Sequence, residues 1–390
     1  MDTRAETAVA ASSRSGSTSH LGAAVQLMAG FAARTGLTGD APERRYLWTD
    51  AFAVCNWLGL ARTTGDASLQ ELALQLVSAV HHTLGQHRLD DARRGWLGDA
   101  DEDNPTRGGL RIGKPLPERA ATEASDERQE WQRDGQYFHY LTRWMHALRA
   151  VAHATQSEAP LRWARELALT AHRAFTYRPR PGARPRMVWK MSIDLTHPLV
   201  ASMGQHDALD GLVTCLELVS EPGADADTRT ALKAALTDHA AMIDPSALVT
   251  TDPLGLGGLL VDACRLATLM QNATLPDGAA LLEMVLAAAA QGLRRGLDGA
   301  ALSGPAAERL AFRELGLAIG LAAIERLRGN GPATGVSLNQ LLGASALRNQ
   351  LIGFWLDPAH RQSAGYQGHA DINDVMLATS LCPDGYLDLG

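Results

Sequence analysis

Three aspartates set beside aromatic residues carry the clearest chemical signal in this chain. Asp50 closes the cluster Tyr46-Leu-Trp48-Thr-Asp50, Asp134 lies in Trp131-Gln-Arg-Asp134-Gly-Gln-Tyr137, and Asp371 ends Tyr366-Gln-Gly-His369-Ala-Asp371. Paired carboxyl groups suit general acid–base work, one holding a proton and one lacking it. Aromatic faces beside them suit a ring that stacks its C–H side and hydrogen-bonds its hydroxyls. A plainer reading stands next to this one: Asp50 and Asp371 each fall where a carboxylate stabilises the first turn of a helix.

Histidines and further cations cluster near the same places. His139, Arg143 and His146 fall at i, i+4 and i+7, one polar stripe on a segment whose other faces hold Phe138, Tyr140 and Trp144. Downstream, Trp189-Lys-Met-Ser-Ile-Asp194-Leu-Thr-His197 leads into Gln205-His206-Asp207-Ala-Leu-Asp210. Neutral imidazole beside carboxylate can act as a base or bind a metal. No HExxH spacing or CxxC pair is present, so the motifs imply neither a metal nor a cofactor.

Two connections between apolar segments are long, about residues 88–135 and 177–205. Long structured loops in compact domains tend to carry function. The first contains Thr106-Arg107-Gly-Gly-Leu-Arg111-Ile-Gly-Lys114-Pro-Leu-Pro-Glu-Arg119, in which glycines free the backbone and four cations offer an anion site. Pro115 follows Lys114 where a nucleotide-cradling loop needs Ser or Thr.

Positioning these residues falls to helices. Apolar spacing at three and four residues predicts twelve segments, near 20–35, 46–63, 67–87, 136–155, 158–176, 206–220, 227–243, 255–272, 278–297, 306–328, 336–355 and 371–381. Breakers separate them at Gly65-Asp66, Pro222-Gly223, Asp277-Gly278, Gly304-Pro305 and the run 329–332. Every second segment holds small residues in an apolar stretch, such as Cys55 and Gly59, Gly211 and Cys215, Gly258 and Cys264, Gly316 and Gly320. These are expected to form an inner ring, and the segments bearing Arg and Glu at helical spacing an outer one. Strand signals are confined to a loosely alternating stretch over 186–195. Asp50 to Cys55 and Asp210 to Cys215 share a spacing that a repeated hairpin would explain.

Bulk composition narrows the partners. Of 390 residues, 46% are hydrophobic and 20% charged, and the formal net charge is −7. That balance fits a chain able to bury a large core and argues against nucleic acid as the main partner. The four cysteines are dispersed, which fits a reducing, cytoplasmic setting. No uninterrupted uncharged apolar run of about 18 residues suggests a membrane partner. The expected organisation is a disordered tail over residues 1–19 and one helical domain over 20–390.

With its helix number, inner and outer alternation, and aromatic-acid clusters, the chain over about residues 20–390 resembles the six-hairpin, or (α/α)6 toroid, superfamily of glycosidases, sugar epimerases and polysaccharide lyases. The resemblance implies an all-α toroid of about twelve helices with two long loops over one mouth. It also implies a small-molecule or oligosaccharide substrate, an anionic one included. In a glycoside hydrolase the catalytic acids would be Asp50, Asp134 and Asp371. Trp48, Tyr137 and Trp189 would form a sugar platform, and Arg107, Arg111, Arg143, His197 and His369 would bind substrate. Two alternatives remain open: an isomerase or epimerase using His139, His197, His206 or His369 as catalytic proton shuttles, and a helical binding protein whose clusters are caps and satisfied polar contacts.

Overall fold

The computed structural model describes residues 3–388 except 121–122, 124–125, 273–276, 298–301, 303 and 329–334, with backbone alone for residues 3–18, 127, 272 and 297. The breaker run 329–332 lies outside the described residues.

In chain order the helices are α1 (Thr3–Arg34), α2 (Leu47–Thr64), α3 (Ala67–Leu84), α4 (Glu127–Glu130), α5 (Phe138–Thr155), α6 (Glu158–Phe175), α7 (Asp207–Ser220), α8 (Ala226–Met242) and α9 (Pro253–Asn272). They continue as α10 (Gly278–Leu297), α11 (Ala311–Glu325), α12 (Val336–Leu342), α13 (Ser345–Leu356), α14 (Pro358–Arg361), α15 (Ala364–Gln367), α16 (Ala370–Leu381) and α17 (Asp384–Leu387). Local chemistry sets the ends. Asp66 accepts from Ser68 N–H to start α3, Asp225 accepts from Thr228 N–H to start α8, and Gly65 stops α2 at φ +75°.

Helices α2, α5, α7, α9, α11 and α16 each pack on the next, and α16 returns to α2. Around them α1, α3, α6, α8, α10 and the pair α12–α13 pack against α16, α2, α5, α7, α9 and α11 in turn. The fold is an all-α (α/α)6 toroid, with α1 at the N-terminus supplying the outer partner of the last inner helix. Small residues let the inner helices approach, as expected. A side chain at Gly316 would strike Leu254 of α9, and one at Gly320 would meet the Gly257 backbone. Gly258 is different: it faces open space. Asp50 and Asp210 occupy the same place, the fourth residue of α2 and of α7, each amide donating to the carbonyl of the residue before the helix.

Two expectations change. The backbone of α1 is helical from Thr3, within the stretch 1–19 expected as a disordered tail, although five serines, three threonines and a glycine there are modest helix formers. The segment predicted over 336–355 is two helices separated at Gly343-Ala344. Helix α9 is long and apolar enough, over Pro253–Gln271, to cross a membrane by hydropathy. Its place in the inner ring accounts for that character, because an inner helix is covered on nearly every side.

Five short strands tie the long loops down. Strand β1 (Gln136–Tyr137) pairs with β4 (Lys190–Met191), which pairs with β5 (Pro198–Val200), while β2 (Thr176–Tyr177) pairs with β3 (Arg186–Met187). The first three join the end of the first loop, just before α5, to the second loop. Part of the alternating stretch over 186–195 thus does form ribbon.

Candidate active site

The first turns of all six inner helices open onto one cavity of about 1640 Å³. Asp50 of α2, His139 of α5, Asp207 of α7, Gly255 of α9, Phe312 of α11 and Asp371 of α16 line it. Both long loops overhang it, the first through Lys114 and Trp131, the second through Trp189 and Met203.

Asp50 is buried, with its Oδ2 accepting from Tyr46 N–H at 2.9 Å and its Oδ1 3.7 Å from Arg45 Nη1. It therefore does brace its helix, as the plainer reading held, while still lining the cavity. Burial pushes its carboxyl up to about 7 against the opposing pull of Arg45. Asp207 is held up at about 7 for a related reason: burial, reinforced by the charge of Asp210. One Asp207 oxygen, Oδ2, has no hydrogen-bond partner, and the other lies 3.7 Å from His139 Nδ1. Burial and then the charge of Arg143 press His139 down to about 4, so its imidazole is neutral near pH 7.

Aromatic rings wall this corner. Trp189 stacks on His139 with an interplanar angle of 14°, Tyr137 lies 5.1 Å from Trp189, and Tyr46 and Tyr140 share a hydrogen bond between hydroxyls at 2.6 Å. Trp48 and Phe52 meet at a tilt with ring centres 4.4 Å apart, and Phe52 in turn stacks 4.2 Å from Tyr386 of α17.

Charge below the cavity is locked in place. Arg265 bonds to Asp210, Asp262 and both oxygens of Glu217, and Arg143 stands 3.3 Å from Asp210. Burial opposes ionisation of Asp210, but Arg143 and Arg265 outweigh it and hold that carboxyl below its ordinary value. Asp262 moves the other way, up to about 7, from burial and the charge of Asp210. Across the mouth Asp371 is ion-paired with Arg34 at 2.9 Å and Arg44 at 3.2 Å.

The structure thus gathers Trp48, Asp50, Tyr137, His139, Arg143, Trp189, His206, His369 and Asp371 around one space. His206 Nε2 meets the Leu248 carbonyl at 2.9 Å, a structural bond that ties the start of α7 to the connection between α8 and α9. Three residues are placed elsewhere. Asp134 is fully buried outside the cavity lining, where it accepts from Arg111, Arg88 and the amides of Gly113, Lys114 and Gly135. It is the hub of the loop and is not brought to the cavity with the other candidate acids. Arg107 points outward to Glu166 on α6, and His197 lies in the turn between β4 and β5, bonded to Thr196. Arg111 touches the cavity wall, but its guanidinium is committed to Asp134 and to the Gln86 and Thr83 carbonyls.

Asp262, Arg265 and Tyr386 were not singled out from the sequence. For Asp262 and Arg265 a signal existed: an acid and a base three residues apart inside the apolar run of an inner segment. Such a pair is costly to bury unless it serves a site. Among the described residues no three His, Cys, Asp or Glu side chains converge as a metal site requires.

No protein-family model and no curated protein matches this chain. Among solved structures it is similar to a GH76 alpha-mannanase from Bacteroides thetaiotaomicron, with 9% identity, a TM-score of 0.49, and coverage of 87% of this chain and 86% of that one. It is also similar to a cellobiose 2-epimerase from Spirochaeta thermophila, with 14% identity, a TM-score of 0.49, and coverage of 91% and 97%.

Proposed function

We propose that this chain is a carbohydrate-active enzyme, and that its cavity hydrolyses glycosidic bonds with Asp207 and Asp50. The observation that carries the reading is the placement of two buried carboxyls, each with its proton held to about pH 7, in the first turns of inner helices along an aromatic wall. Glycoside hydrolysis needs one carboxyl that donates a proton to the leaving oxygen and a second that activates water or attacks carbon.

Environment separates the two roles. Asp207 has the carboxylate of Asp210 as a neighbour, which favours its neutral form, so it is the proton donor. Asp50 faces Arg45, which pulls it toward the ionised form although burial still holds it up at about 7, so we assign it as the base or nucleophile, acting in its ionised fraction. Tyr137, Trp189 and Trp48 supply faces for the sugar ring.

The test is turnover of a panel of aryl glycosides and oligosaccharides by the wild type, Asp207→Asn and Asp50→Asn. Each substitution is expected to lower kcat/KM by about a thousandfold or more, the scale of losing general acid–base catalysis, with helical circular dichroism retained. With both carboxyls at about 7, wild-type activity should follow a bell centred near pH 7, falling above it as Asp207 loses its proton and below it as Asp50 gains one. Undiminished hydrolysis in either variant removes that residue from the mechanism.

One feature favours a second reading on the same scaffold. The neutral His139 imidazole, with Nδ1 unpaired and 3.7 Å from Asp207, is a competent base for moving a proton on a reducing sugar. Incubation of candidate sugars in deuterated water distinguishes the two: carbon-bound deuterium without bond cleavage supports isomerisation and overturns hydrolysis.

A further inference from the structure

The cavity is rich in cations although the chain carries a formal net charge of −7. Most of these cations are neutralised locally. Arg34 and Arg44 hold Asp371, Arg143 holds Asp210, and Arg313 holds Asp252. Lys114 is not neutralised in this way, and Arg45 only loosely, by Asp50 at 3.7 Å and Glu43 at 3.9 Å. Among the described residues Lys114 has no carboxylate partner, and its ammonium stands 5.1 Å from the centre of the Tyr46 ring. Of the four cations in the glycine-rich stretch it is the one left over, since Arg107, Arg111 and Arg119 pair with Glu166, Asp134 and Glu130.

Arg45 is 4% exposed and donates through Nη2 to the Thr35 carbonyl, yet its Nε and Nη1 have no hydrogen-bond partner. The nearest carboxylate oxygens, on Glu43 at 3.9 Å and Asp50 at 3.7 Å, lie beyond hydrogen-bond reach. Buried donors without acceptors are costly, and charged ones more so. Both residues line the cavity, and the backbone sets them side by side: Leu47 N–H donates to the Ile112 carbonyl at 3.1 Å. Gly113, at φ +90°, presses so close that any side chain would strike the Arg45 carbonyl. The N-termini of six inner helices also point at this mouth, each adding partial positive charge.

We propose that the sugar bound in this cavity carries an anionic group, a carboxylate or a phosphate, held between Lys114 and Arg45 beside the Tyr46 ring. The proposal rests on the carbohydrate reading above and adds the substrate class, acidic saccharides. It places the charged end of the substrate next to Asp50.

Calorimetric titration at low ionic strength with glucuronate, glucose 6-phosphate and glucose tests it, the first two separating carboxylate from phosphate. At least one acidic sugar is expected to bind about tenfold or more tighter than glucose, weakening as salt is added. Lys114→Gln should remove most of that preference while its melting curve stays unchanged, and Lys114→Arg should keep it. Equal affinity for glucose, a preference that survives Lys114→Gln, or no binding of any of the three overturns the proposal. Its failure is distinct from that of the hydrolase reading. Acidic sugars that bind through Lys114 without any glycoside being cleaved sink hydrolysis alone. Cleavage of neutral glycosides with selectivity unaltered in Lys114→Gln sinks the anionic substrate alone.

Discussion

Asp207 binds its proton more tightly in the folded chain than it would in the unfolded one, because the folded value is about 7 against an ordinary 3.8. The sign of the linkage follows. Stability from this group is fully present below about pH 4 and is lost as the pH rises through about 7. Asparagine matches the neutral carboxyl in shape and never ionises. Asp207→Asn is therefore expected to be more stable than the wild type at pH 8 by an amount of the order of a few kcal/mol, and to melt higher accordingly, with the gain vanishing near pH 4. Differential scanning calorimetry at both pH values checks this, and an equal change at both would show that the proton plays no part. Such a residue was half legible in the sequence. The run His206-Asp207-Ala-Leu-Asp210 stood out, but the sequence does not say which of its acids has Arg143 and Arg265 for company. Those partners come from two other inner helices.

At the scale of elements, periodicity recovered the helices because each buries a face against its neighbours, and small residues marked the inner set because close approach demands them. The long loops were another matter. Their fold depends on single long-range bonds, such as the Gln136 side chain reaching the Gly108 and Ile193 carbonyls and the Leu110 amide, and no local pattern encodes these. Asp134 shows the consequence. Its aromatic setting looked catalytic, whereas it gathers the donors that fold residues 88–135 over the mouth. Asp134→Asn puts an amide N–H₂ or a weaker acceptor against buried Arg111 and half-buried Arg88, a loss of about 3 kcal/mol or more. The expected outcome is early proteolytic cleavage within 88–135, measured by limited proteolysis and mass spectrometry. Cleavage sites and rates equal to those of the wild type would show that the hub does not hold the loop.

At the scale of the whole molecule, the toroid works only if it closes, and closure joins the two ends of the chain. Asn56 of α2 donates to the Val375 carbonyl at 3.1 Å and accepts from Thr379 Oγ1 at 2.9 Å, both on α16. Beyond α16, Gly385 of α17 lies against Gly59 and the Cys55 carbonyl so closely that neither glycine can take a side chain without movement. That contact sets Tyr386, whose ring stacks on Phe52 and whose hydroxyl meets Arg143 Nη1 at 3.3 Å in the cavity wall. Gly385→Val therefore acts on the seam and on the site together. Overpacking of this kind costs about 1–3 kcal/mol, so the melting temperature is expected to fall by a few degrees. Substrate binding should weaken in the same variant, because α17 moves outward and takes Tyr386 away from Arg143. A counterpart, Gly65→Ala, falls at the end of α2 where nothing lies within 4 Å but φ is +75°. It should lower stability through backbone strain alone and leave binding intact. Equal loss of binding in both variants, measured by calorimetry with the same sugars, would mean that stability rather than closure governs the site.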